Sequence, residues 1–247
     1  MRILGIIPAR YQSSRFPGKP LADIAGKSMI QRVYEQCLKS QCLSQVLVAT
    51  DDQRIADHVT SFGGHVQMTS DQHQSGTDRC AEITENYPQF DIFVNIQGDE
   101  PLIDPSQIDL LVSCFNQPNA NIATLVKPIH TEEELFNENT PKVLLNINNE
   151  AIYFSRTCIP FLRGIAKEDW LKNYTFFKHI GIYAFKKATL KEITQIPTST
   201  LELAEALEQL RWIQNGYKIQ TAISHTESQA VDTPEDLDKL LSLLNKK

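Results

Sequence analysis

Apolar residues recur along the chain in two alternating rhythms, short unbroken runs and three-to-four-residue spacings. The run at 3–7, stopped by Pro8, predicts a buried first strand, followed by a loop to about Ile24. Met29, Ile30, Val33, Tyr34, Cys37 and Leu38 then fall on one face of a predicted helix, with Ser28 and Gln31 at the spacing of a capping box. Residues 46–49 predict a second strand, Ile55, Val59 and Phe62 a helix closed by Gly63 and Gly64, and 66–68 a third strand. Residues 91–97 read as a central strand ending at Gly98, and Asp104-Pro105 as the start of a helix bearing Ile108, Leu111, Val112 and Phe115. A functional loop is expected between Gly98 and Asp104. Further β-like runs lie at 122–126, 143–146, 152–154, 180–185 and 219–223; a single helix is expected over 201–215, and Thr233-Pro234-Glu235-Asp236 opens a last one. Strand and helix patterns in alternation predict an α/β fold with a mixed, mainly parallel sheet flanked by helices. The expected organisation is one domain over residues 1–247, with an inserted polar-aromatic segment at about 155–178.

Composition narrows this little: 247 residues, 41% hydrophobic and 22% charged, describe an ordinary globular chain. The net charge of -6 argues against a general nucleic-acid or anionic-membrane binder. The sign is unevenly spread, because residues 1–39 hold seven Lys or Arg against two acids, a local +5 that leaves -11 for the rest. Five cysteines with no C-x-x-C pair indicate reduced thiols rather than a disulfide framework or zinc site. The apolar run at 3–7 is too short for a signal core or membrane span, so a cytoplasmic protein is expected.

The loop after the first strand, Pro8 to Leu21, sets Arg10, Arg15 and Lys19 among Ser13, Ser14 and Gly18. Ligands of open α/β sheets bind beyond the carboxyl ends of strands, and such a loop suits a polyphosphate; a solvated basic loop is the alternative. Gly26-Lys27-Ser28 ends like a Walker A loop, but Leu21 stands where that pattern needs Gly, and no G-x-G-x-x-G follows the first strand. Asp99, after the central strand, can hold Mg²⁺ against phosphates or simply shape a turn; Asp232 alone reads as part of a helix N-terminus. The stretch 73–79 reads as a turn into a helix that Thr77 or Asp78 would cap.

Eight segments in order, IIPARYQSSRFPGKPL, VATDDQRI, HQSGTDR, NIQGDEP, IYFSR, KHIGIYAF, LEQLRW and VDTPEDL, resemble the 3-deoxy-manno-octulosonate cytidylyltransferases (CMP-Kdo synthetases) over nearly the whole chain. The resemblance implies a nucleotidyltransferase fold, a homodimer with 155–178 as a dimer contact, and coupling of CTP to the acidic sugar Kdo, with release of pyrophosphate, for lipopolysaccharide synthesis. It implies that Arg10, Ser13, Arg15 and Lys19 hold the triphosphate, that Ala9, Ser75 and Arg79 select the nucleotide, and that Asp99 and Asp232 carry Mg²⁺. Lys19, Asp99 and Asp232 are then the catalytic set, and Gln97, Arg156, His179, Tyr183, Glu208 and Gln209 the sugar-binding set. Taken singly, His179 reads as a structural histidine, Arg156 as a surface ion pair, and Glu202, Glu205 and Glu208 as a solvated acidic face; the resemblance changes that reading for Glu208 and leaves Glu202 and Glu205 structural. Phe16 stands where many relatives have Leu, and Ser228-Gln229-Ala230 replaces a Gly-rich approach to Asp232. Rival readings are a cytidylyltransferase for sialic acid or 8-amino-Kdo, and a non-catalytic sugar-nucleotide sensor.

Overall fold

A computed structural model describes residues 1–13 and 15–244; Ser14 of the basic loop lies outside the described residues. The chain divides into two compact units, one formed by Met1–Asp109, Lys186–Lys191 and Ser228–Lys247, the other by Leu110–Phe185 and Glu192–Glu227.

In the first unit, β1 (Ile3–Ala9) leads through the basic loop to a small hairpin, β2 (Asp23–Ile24) and β3 (Lys27–Ser28). Then follow α1 (Met29–Cys37), β4 (Gln45–Thr50), α2 (Gln53–Ser61), β5 (Val66–Met68), α3 (Gly76–Asn86), β6 (Ile92–Asn95) and the start of α4 (Pro105–Ser113). β1 pairs in parallel with both β4 and β6, and β4 with β5. Parallel strands covered on both faces need continuous apolar runs, and β1, β4 and β6 are buried along almost their whole length.

Helix starts are fixed by side chains. Ser28 accepts a hydrogen bond from the Gln31 amide, but the Gln31 side chain turns to Glu35, so the expected capping box is half formed. At α3 the cap is Ser75, in a complete box with Asp78, rather than Thr77 or Asp78 itself. Both alternatives lie one turn inside the helix, and Ser75 alone has the extended backbone that a cap requires.

A cluster of Ile24, Met29, Val231 and Leu240, with Phe16, Leu237, Leu241 and Leu244 packed on it, ties the basic loop and α1 to the last helix, Pro234–Leu244. Phe16, the departure from Leu, therefore fills a hydrophobic seat. The Ser228–Ala230 approach is held as well: Ser228 donates to Glu100, and the Val231 amide donates to the Asp99 carbonyl at 2.9 Å.

In the second unit, β7 (Ile122–Pro128) lies between parallel β11 (Ile219–Ile223) and antiparallel β10 (Phe177–Lys186). β8 (Lys142–Leu145) pairs antiparallel with β10 and with β9 (Ala151–Ser155). The register of β10 slips between Ile180 and Tyr183, where the Thr124 hydroxyl lies 2.8 Å from the Ile182 carbonyl. The segment 155–178 packs back on its own unit, its Trp170 and Phe176 forming a cluster with Ile129 and Leu135. The helix expected over 201–215 is two helices, Thr200–Glu205 and Gln209–Gln214, because Ala206 turns left-handed at φ 49°. Apolar spacing runs through the break and hides it.

Candidate active site

The carboxyl ends of β1, β4 and β6 deliver the site of the first unit. Gly18, at φ +73°, opens a short 3₁₀ turn, Lys19–Leu21, that carries Lys19. Gly98 lets the loop after β6 pass close to β1, since a Cβ there would sit 2.9 Å from the Pro8 carbonyl oxygen. Asp99 is thereby brought beneath Lys19. The Lys19 ammonium donates to Asp99 Oδ2 at 2.7 Å and to Asp232 Oδ1 at 3.2 Å, and Arg15 Nη2 reaches the same Asp232 oxygen at 3.1 Å. Two carboxylates 133 positions apart in sequence thus share one ammonium.

Among the described residues no group of three or more His, Cys, Asp or Glu is placed to hold a metal. A pair of carboxylates already bridged by a cation, next to a basic loop, is the donor set that Mg²⁺ uses when phosphate oxygens and water complete its shell. The residues present therefore fit the group.

Around this pair, Arg10 Nη2 donates to the His73 carbonyl at 2.6 Å, and His73 pairs through its imidazole with Glu82. The Ser13 hydroxyl accepts from the Phe16 amide at 3.3 Å, and Ala9 is buried at the end of β1. Ser75 is committed to capping α3. Arg79 has no exposed surface: it donates to Thr69, its Nη2 lies 3.4 Å from Asp51 Oδ2, and its Nε has no hydrogen-bond partner. In this conformation it supports the loop before α3 from beneath. Gln97, half-buried, follows β6 in the same unit.

The other expected sugar-binding residues lie in the second unit. His179 on β10 bonds through Nε2 to the Thr124 hydroxyl at 2.9 Å and meets the rings of Phe154 and Tyr183. Burial pushes its pKa down to about 3, so the ring is neutral near pH 7. Tyr183 packs edge-on against Trp212; burial, aided by the Glu208 charge, raises its pKa well above the ordinary tyrosine value. Arg156 is anchored by carbonyls, Nε to Glu205 at 2.6 Å, Nη1 to Glu138 at 3.0 Å and Nη2 to Ala206 at 3.1 Å. It is not the surface ion pair that its type suggested. Glu208 pairs with Arg211 at 2.9 Å; Glu205 accepts from Ser155 and from the Arg156 amide, and Glu202 closes the cap at Ser199.

The Tyr183 hydroxyl, the Gln209 amide nitrogen and the Trp212 indole nitrogen are buried with no hydrogen-bond partner of good geometry. Buried orphans of this kind are costly unless a ligand or water meets them. Trp212 was not singled out from the sequence, although LEQLRW contains it; its indole donor and its contact with Tyr183 are visible only in the fold.

Residues 4–219 match the family model described as cytidylyltransferase. The chain is 57% identical to the 3-deoxy-manno-octulosonate cytidylyltransferase of Parabacteroides distasonis over 99% of its own length and 98% of that protein. This chain belongs to the 3-deoxy-manno-octulosonate cytidylyltransferase family. The Porphyromonas gingivalis member is 48% identical over 98% of this chain and 96% of its own. A solved structure of CMP:2-keto-3-deoxy-manno-octonic acid synthetase complexed with CTP superposes with a TM-score of 0.92 at 41% identity, covering 100% of this chain and 99% of that one. Family membership, expected from the eight ordered motifs, is borne out, as is the mixed α/β nucleotidyltransferase fold.

Proposed function

We propose that the chain couples CTP to Kdo, giving CMP-Kdo and pyrophosphate. The observation that carries the chemistry is the Lys19 ammonium held between Asp99 and Asp232 at the strand ends. In the reaction the anomeric hydroxyl oxygen of the sugar forms a bond to the α-phosphorus, the bond from that phosphorus to the bridging oxygen breaks, and pyrophosphate leaves. Such transfers depend on positioning and on stabilising charge around the phosphoryl group, with no covalent enzyme intermediate required.

Arg10, Ser13, Arg15 and Lys19 neutralise and hydrogen-bond the triphosphate. On substrate binding Arg10 exchanges its bond to the His73 carbonyl for phosphate oxygens, and Lys19 turns from the carboxylates to the phosphates. Asp99 and Asp232 would hold Mg²⁺, which would supply positive charge beside the phosphate oxygens. Ala9, Ser75 and Arg79 shape the base and ribose end, Arg79 through the loop it supports. Gln97, Arg156, His179, Tyr183, Glu208 and Gln209 receive the sugar. The orphaned donors on Tyr183 and Gln209 suit a polyhydroxylated ligand, and neutral His179 serves as a hydrogen-bonding group rather than a cation.

The chain works as a homodimer. Ile152, 53% exposed, and Phe161, 71% exposed, are apolar side chains of the second unit that a second copy would cover. No helix among the described residues is long and apolar enough to cross a membrane, and a consumer of CTP for sugar activation belongs in the cytoplasm.

The test is pyrophosphate release with CTP and Mg²⁺ against Kdo, 8-amino-Kdo and sialic acid. Preference for Kdo is expected, and a marked preference for sialic acid would replace the sugar assignment. Asp99→Ala is expected to lower turnover at least about a hundredfold while the protein stays folded. Unchanged turnover would remove Asp99 from the mechanism, and no pyrophosphate release by the unmodified protein with any of the three sugars would favour a sensor.

A further inference from the structure

Apart from Asp51 beside Arg79, the VATDDQRI segment takes no part in the chemistry above, yet its Arg54 meets the basic loop. Arg54, in the first turn of α2, lays its guanidinium 3.3 Å from the centre of the Tyr11 ring. The plane is held from its edge by Asp52, with Nε 2.9 Å from Oδ1 and Nη2 2.6 Å from Oδ2, and Asp52 is in turn fixed as the N-cap of α2 by the Arg54 amide. This is a paired, planar contact that a lysine cannot reproduce.

Tyr11 also lies close to Gly18. The Gly18 amide donates to the Tyr11 carbonyl at 2.8 Å, and the ring lies where a Gly18 Cβ would come within 3.2 Å of it. Gly18 is the residue from which the 3₁₀ turn carrying Lys19 starts.

We infer that Arg54 is a positioning residue: stacked on Tyr11 and braced by Asp52, it fixes the Tyr11–Gly18 contact and so sets where Lys19 meets the triphosphate of CTP. The stack joins the rigid start of α2 to the loop across 43 positions of sequence. Tyr11, Gln12, Ser13, Pro17 and Arg54 also line a common surface pocket, so the brace borders open space that a triphosphate can enter. Losing a cation–π contact at a site as exposed as this one is expected to loosen the loop by roughly two- to fivefold. The link to CTP rests on the function proposed above; the brace itself does not.

The experiment has two arms, amide hydrogen exchange of the loop and calorimetric CTP affinity, on full-length Arg54→Met, Arg54→Lys, Tyr11→Leu and Tyr11→Phe. Expected are roughly two- to fivefold faster exchange at Gly18 and Lys19, with CTP binding weakened by a similar factor, in Arg54→Met, Arg54→Lys and Tyr11→Leu. Tyr11→Phe retains the ring and should match the parent protein. Unchanged exchange in Arg54→Met overturns the brace, and so does full retention by Arg54→Lys, which would assign the effect to charge. Faster exchange from Tyr11→Leu but not from Arg54→Met removes Arg54 from it. Faster exchange with CTP affinity unaltered overturns the positioning role. Failure of the parent protein to bind CTP would strike the cytidylyltransfer reading instead, while the exchange arm still decides the brace.

Discussion

Lys19 shows how one side chain organises charge in this protein. With 15% of its side chain exposed, it sits between two acids that would otherwise repel each other at close range. Whatever cation enters must displace it or be joined by it, and in the proposed reading the triphosphate gives the ammonium somewhere to go.

His179 follows the opposite logic, kept uncharged by its surroundings. Its ordinary value of 6.5 falls to about 3 through burial. The unfolded chain therefore takes up this proton first as pH drops. Its contribution to stability is complete above pH 6.5 and is lost as pH falls toward 3. Denaturant midpoints measured at pH 7, 5 and 4 should decline less steeply in His179→Gln than in the parent; an identical decline would show that the ring titrates normally. The alternative structural reading of this histidine from sequence was half right: it is a satisfied buried ring, bonded to Thr124, and it also stands among orphaned donors. Sequence does not show that partner, because Thr124 is 55 positions away.

Elements were legible where their signal is local. β1, β4 and β6 announce themselves because buried parallel strands need unbroken apolar runs, and α1 because its buried positions repeat with the helical period. The broken helix at Ala206 was not legible, since a single left-handed residue leaves the apolar spacing intact. The β2–β3 hairpin went unread for a related reason. Its turn residues, Ala25 at φ 49° and Gly26 at φ 82°, have the two positive angles of a type I′ turn, but Ala-Gly lacks the usual Asn-Gly signature. Arg32 holds the turn by donating to the Ile24 and Ala25 carbonyls, and this helps to offset the strain at Ala25. Asparagine tolerates that backbone better than alanine, so Ala25→Asn should raise stability by roughly 0.5–1 kcal/mol. The urea midpoint should rise with an unchanged slope; a fall would mean that the turn relaxes elsewhere.

At the scale of the molecule, the two units interleave along the chain, the first taking its segments from three places. No linker-like composition marks those crossings, so the pattern along the chain reads as a single domain. The proposed catalytic carboxylates were legible only through the ordered motifs: Asp99 and Asp232 read singly as a turn residue and a helix start, and what joins them is a lysine at position 19. The proposed homodimer belongs to this scale. The protein at micromolar concentration is expected to sediment at about twice the 28.0 kDa of one chain. Phe161→Asp should shift it toward the single chain without unfolding it; monomer at all concentrations in the parent would remove the dimer.

The order in which residues leave the ribosome gives the three-segment unit a further meaning. Arg15, Lys19 and Asp99 are all made before the second unit is complete, but Asp232 comes with the final stretch, together with Val231 and Leu240, which close the cluster around Ile24 and Met29. A growing chain can therefore fold the basic loop and the first carboxylate, yet it has no second carboxylate to set against them. The same stretch, Ser228 to Leu244, carries Asp232 and seals the hydrophobic seat with Val231 and Leu240. In the proposed reading, the second carboxylate therefore joins the site only once the helix Pro234–Leu244 has found its place.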